Sequence, residues 1–60
     1  MTRKEALEAM TKREIVVLFT EEEMFWGRLT RKVKHGFLFE GIKEDKRFVA
    51  KVQPTDLVQP

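Results

Sequence analysis

The stretch from Met24 to Lys34, Met-Phe-Trp-Gly-Arg-Leu-Thr-Arg-Lys-Val-Lys, limits the folds open to this chain more than any other. Odd positions hold Phe25, Gly27, Leu29 and Val33, broken only by Arg31; even positions hold Met24, Trp26, Arg28, Thr30, Lys32 and Lys34. Successive side chains of a strand point to opposite faces. One face of a strand here is apolar enough to join a core, and the other presents an aromatic head followed by a basic row. Gly27 lies mid-strand, where a missing side chain marks a bend or a close backbone approach. A long, bent strand with one apolar face is what closes a small barrel.

Sixty residues allow one domain, residues 1–60. A chain of that length buries only about 60% of its unfolded surface. With no Cys there is no disulfide or thiolate metal site, so reinforcement must come from dense packing or self-association. Five Phe and one Trp supply the bulk for a well-filled core. No apolar run approaches the roughly 20 residues of a membrane span, and no signal-peptide pattern is present, so a cytoplasmic location with no membrane partner is expected. The net charge of +2 is unevenly spread. Ile15 to Glu23 carries only Glu21, Glu22 and Glu23, whereas Met24 to Gly36 carries Arg28, Arg31, Lys32 and Lys34 with no acid. Such a basic segment can meet phosphate, or it can be a solvated edge strand whose lysines discourage aggregation.

Along the chain, Thr2-Arg3-Lys4-Glu5 is a capping-box pattern opening a run of helix formers to Arg13. Ala6, Leu7 and Met10 share a face, with Leu7 and Met10 the expected anchors on a sheet. Glu14 to Thr20 is β-branched and apolar enough for a strand covered on both sides. Glu21-Glu22-Glu23 makes a polar loop and His35-Gly36 a turn. Phe37–Ile42 and Arg47–Val52 predict two more strands joined by the charged hairpin loop Lys43–Lys46. Pro54 breaks the chain before a single helical turn, and Leu57-Val58 suits a very short last strand. The fold class expected is mainly β: an N-terminal helix, then a small, strongly bent five-stranded antiparallel barrel of the Sm or SH3 kind. An open sheet crossed by one helix is the alternative. Leu18, Leu29, Phe39 and Phe48 are the expected core, and Trp26 is expected to pack beneath Leu7 and Met10.

With these elements placed, most of the chain resembles the Sm-like family, in particular its bacterial Hfq branch. The similarity is carried by the helix end Leu7–Arg13, by Val16–Thr20 followed by Met24-Phe25-Trp26-Gly27-Arg28-Leu29, by Phe37-Leu38-Phe39, and by Val52–Val58. The resemblance implies a non-enzymatic protein that binds single-stranded RNA near two loops, Lys34-His35-Gly36-Phe37 and Lys51-Val52-Gln53, and that assembles as a homo-oligomeric ring. It implies base stacking on Phe37 or His35, with Lys51 and Gln53 contacting base or phosphate. The basic residues Arg28, Lys32 and Lys34 complete the expected RNA-binding set.

Other chemistries find little footing. With no Cys, no Ser and a single His, nucleophilic catalysis lacks its parts, and nothing in the spacing of the ten carboxylates selects an acid–base pair. There is no glycine-rich phosphate loop, and Glu21-Glu22-Glu23 lacks further ligands at a metal-binding spacing. No enzyme, metal or cofactor is expected. A monomeric SH3-like protein-interaction module, or a small regulatory subunit that adds a strand to a partner's sheet, is the competing class.

Overall fold

The computed structural model describes all sixty residues. Helix α1 spans Arg3–Lys12, and strands follow at β1 Val16–Phe19, β2 Met24–Val33, β3 Gly36–Lys43, β4 Lys46–Val52 and β5 Leu57–Val58, with a 3-10 turn at Pro54–Asp56. All pairings are antiparallel and the strand order is β4-β3-β2-β1-β5. No helix is long and apolar enough to cross a membrane.

The capping box forms as its sequence predicts. The Glu5 N–H donates to the Thr2 hydroxyl at 3.1 Å, and the Thr2 N–H donates to the Glu5 carboxylate at 2.8 Å. Two orphan donors of the first turn are thereby satisfied. At the other end Arg13 turns left-handed (φ 56°, ψ 39°) and closes the helix through its N–H to the Ala9 and Met10 carbonyls. The face that α1 buries is Ala6 and Ala9, at 0% and 1% exposure. Leu7 and Met10, the expected anchors, are only partly buried beside them. Small side chains let the helix backbone approach the sheet closely, which is why the contact line runs through the alanines.

The chain passes from β4 to β5, opposite ends of the sheet, through only Gln53–Asp56. In a flat sheet those strands would lie about 19 Å apart, four spacings away. A link of this length containing a 3-10 turn reaches only about 13 Å. The sheet must therefore curl, and it wraps one face, here the inner face, around Val16, Leu18, Leu29, Phe37, Phe39, Val52 and Leu57 beneath Ala6 and Ala9. Phe48 is half-buried rather than fully enclosed, its ring edge-on to Phe25 at 5.0 Å. Gly27 faces Gly41 across the β2–β3 ladder. A Cβ on Gly27 would strike the Glu40 carbonyl oxygen and come within 2.6 Å of Phe39 Cζ, so the Phe39 ring fills the space the glycine vacates. The curl does not close: β4 and β5 remain the two edges with no ladder between them. Two residues of β5 pair only with β1, and Pro54 brings no N–H to the link.

One feature of β2 departs from the alternation of its sequence. Leu29 pairs with Phe39 and Arg31 with the adjacent Leu38, leaving Thr30 as an extra, unpaired residue. This β-bulge flips the strand's parity. Before it the even residues Met24, Trp26 and Arg28 face outward; beyond it Arg31 shares the outer face with Leu38, and Lys32 lies opposite Phe37 on the inner side. The single basic row expected along Arg28, Lys32 and Lys34 is not formed.

Candidate nucleic-acid interface

Six of the seven expected RNA-binding residues gather at one end of the sheet. Lys34 and His35 form the two-residue turn between Val33 and Gly36, with His35 left-handed at φ 61°. Beside that turn runs the end of β4. The Gln53 side-chain amide donates to the His35 carbonyl, tying turn to strand end. The Gln53 N–H donates to Asp56 at 3.0 Å, which holds the start of the 3-10 turn in place. Gly36 is packed against this junction so closely that a Cβ there would lie 2.6 Å from the Val52 carbonyl oxygen and 3.5 Å from Lys51 Cε. Lys51 and Gln53 are thus brought against the turn although they are far from it in sequence.

A cleft of about 260 Å³ opens here, lined by Arg3, Lys32, Val33, His35, Gly36, Phe37, Gln53 and Pro54. No carboxylate is among these residues. The bulge places Lys32 here, by turning it to the side of Phe37. Phe37 is 2% exposed, so it belongs to the core and forms the cleft floor; no free ring face is offered to a base. His35, Lys32, Lys34, Lys51 and Gln53 are exposed.

Arg3 was not singled out from the sequence. A faint signal exists: a cation in the first turn of a helix opposes the macrodipole, so its presence asks for another reason. Arg28, by contrast, is separated from the cleft. Its Nε donates to the Arg13 carbonyl at 3.1 Å, where it caps the end of α1, and it lies across from Glu40 on the outer face. Trp26 also lies on the outer face rather than beneath Leu7 and Met10, and is 54% exposed. It borders a groove of about 580 Å³ that Met10 and Ile15 also line, with Arg13, Arg28 and Arg47, so of the two expected helix partners only Met10 lies near it.

The acidic hairpin does not gather its carboxylates. Glu23 turns to Lys43 at 3.5 Å, and no three His, Asp or Glu side chains converge as a metal site. At the helix start, hydrogen bonds from the Thr2 backbone and hydroxyl hold the Glu5 carboxyl below its ordinary value. Comparison with protein-family models, curated proteins and solved structures finds no match.

Proposed function

We propose that this chain is a non-enzymatic, Sm/Hfq-like RNA-binding protein that takes single-stranded RNA at the cleft beside the Lys34-His35 turn. The observation that carries the proposal is the meeting of Arg3, Lys32, His35 and Gln53 around one acid-free cleft, with Lys34 and Lys51 exposed nearby. Single strands are held by neutralised phosphate together with a flat side chain for an unpaired base. Lys32, Lys34, Lys51 and Arg3 supply the charge, and the exposed His35 imidazole takes the stacking role that the buried Phe37 does not offer. With its amide nitrogen tied to the turn, Gln53 retains its carbonyl oxygen as an acceptor for a base edge.

The same proposal reads the curled sheet as an incompletely closed small barrel of Sm type, whose free edges β4 and β5 are available to pair between copies in a homo-oligomeric ring. Titration of labelled oligouridine and oligoadenine at two salt concentrations tests the RNA site. Each phosphate contact on a single strand contributes a log–log salt slope of about −0.7, so three or four contacts make affinity fall steeply with salt. Changing both Lys32 and Lys34 to Glu should abolish binding while leaving the melting temperature nearly unchanged, since both are exposed. No binding by the parent at low salt, or equal binding by the double variant, removes the RNA proposal. The competing protein-interaction module then takes its place, favoured by the apolar outer face.

A further inference from the structure

The groove beside Trp26 shares no residue with the cleft at the Lys34-His35 turn. It opens where the end of α1 meets the outer side of β2 and β3, and Met10, Ile15 and Ile42 give it apolar walls. Its volume of about 580 Å³ is that of a small-molecule site.

Two of its three arginines are left without a counter-charge. Glu40, the only acid of the groove, stands across the ladder from Arg28, but its carboxylate is within ion-pair reach of Arg47 alone, at 3.6 Å. The other ion pair of the chain joins Lys43 to Glu23, so Arg13 and Arg28 are both unpaired. Arg28 is also held in place, since its Nε donates to the Arg13 carbonyl at 3.1 Å. A guanidinium carries five N–H donors in a fixed fork, and this bond uses one of them. Capping the helix end thus accounts for Nε and leaves the terminal nitrogens for an anion. Arg13 itself occupies a left-handed position (φ 56°) that glycine usually fills. A long side chain kept at such a position points to a use for that side chain.

Beside these cations lies the chain's one tryptophan, 54% exposed. Trp26 precedes Arg28 by two residues on the same face of β2, a spacing of about 6.8 Å along a strand. A flat stacking surface therefore stands beside a fixed guanidinium, at about the reach from an aromatic ring to a phosphate attached to it. We infer that this groove binds a small aromatic phosphate monoester, with the ring on Trp26 and the phosphate forked by Arg28 and Arg13. A phosphate monoester carries about −1.5 to −2 charges at neutral pH, which two unpaired guanidiniums match. A phosphodiester, with one charge, leaves a cation uncompensated, so charge favours a terminal phosphate over the internal phosphates of an RNA strand. Arginine suits the task because its paired donors meet two phosphate oxygens at once. Two kinds of ring carry this chemistry, the base of a nucleoside monophosphate and the phenol of an aryl phosphate.

Titration of the full chain with AMP and, separately, with phenyl phosphate tests the inference, followed by calorimetry and by the emission of Trp26. At least one ester should bind saturably below about ten millimolar and change that emission; whichever binds tighter names the ring. Adenosine and phenol, which lack the phosphate, and inorganic phosphate, which lacks the ring, should each bind at least tenfold more weakly. Arg28→Gln should bring the ester down to the affinity of its phosphate-free analogue. Arg13→Gln should weaken it at least tenfold as well, while keeping the backbone carbonyl that anchors Arg28, so loss of the helix cap cannot mimic the effect. Trp26→Ala, read by calorimetry, should leave the affinity of inorganic phosphate alone. Circular dichroism checks that each variant is folded. The inference is overturned if neither ester binds, if adenosine and phenol bind as tightly as their esters, or if the two arginine variants bind like the parent. Binding lost in the Lys32→Glu, Lys34→Glu chain but kept in Trp26→Ala places the ligand in the cleft and overturns it too. Failure of the RNA titration touches none of these outcomes, because the two sites have no residue in common.

Discussion

The two halves of β2 are written in the same style and do opposite things. From Met24 to Leu29 the odd residues enter the core and the even ones face out. From Arg31 to Val33 the assignment is reversed, because Thr30 is inserted without a partner. The first half builds an apolar outer face headed by Trp26; the second sends Lys32 to the inner side, where it meets His35 and Arg3. One extra residue separates an exposed apolar face from a cleft lined by basic side chains and no carboxylate. Local alternation therefore predicts a strand well and predicts which surface its residues share only as far as the next bulge.

The sharpest way to break this comparison is to change the length of β2. Deleting Thr30 should join the two ladders without altering which way any other side chain faces, at a cost of about 1 kcal/mol or less. Deleting Arg28 should shift the first half of the strand by one residue and turn its core set to solvent, which unfolds a domain of this size. Thermal melts of the two deletion variants distinguish them; similar losses would mean that Thr30 is not the extra residue.

A smaller contrast separates the two faces. Phe39 is fully buried, and Phe39→Ala should cost about 3–5 kcal/mol. Trp26, larger but more than half exposed, should cost about 1 kcal/mol or less as Trp26→Ala when melted at low micromolar concentration. Equal losses would place Trp26 in the core rather than on the exposed outer face.

The smallest effect lies at the helix start. Thr2→Ala should cost about 1 kcal/mol through loss of the cap. Since the folded state lowers the Glu5 pKa, its contribution is present above the ordinary carboxylate range and is lost as pH falls through the lowered value. A Glu5→Gln variant should thus melt nearer to the parent in acid than at neutral pH. A gap that stays constant down to strongly acid pH would show that the carboxylate's charge plays no part.

Much of the fold was legible because each element carries its own local signal. The Thr2–Glu5 box, the Pro54 break and the two short hairpin loops all lie where sequence rules put them. Glu44 and Asp45, both at positive φ, make the two-residue turn that the charged loop promised. Less legible was anything decided by contact between distant segments. Thr30 bears no mark of a bulge, since bulges at non-glycine residues have no compositional sign. Ala6 and Ala9 take the line of closest approach, with Leu7 and Met10 packed only partly buried beside them, because close approach depends on a partner surface the helix sequence does not describe. In the cleft, the joining of Lys51 and Gln53 to the turn follows the strand order, whereas Arg3 enters only through the placement of α1. The separation of Arg28 follows from the same bulge.

The short link from β4 to β5 also bears on the order of assembly. The β2–β3 and β3–β4 pairings are hairpins closed by two-residue turns, and β1–β2 is closed by a short acidic loop. Only β5 must find a strand from the opposite end of the chain, setting Leu57 and Val58 against Leu18 and Val17. Loop closure of that span is the slow entropic step, rewarded by just two paired residues and the complete burial of Leu57. The three hairpins can therefore form early, with β5 arriving last and leaving first. Amide exchange should then be fastest at β5 and slowest in the middle of β2 and β3, so the same residue that seals the core would also be the latch through which it opens.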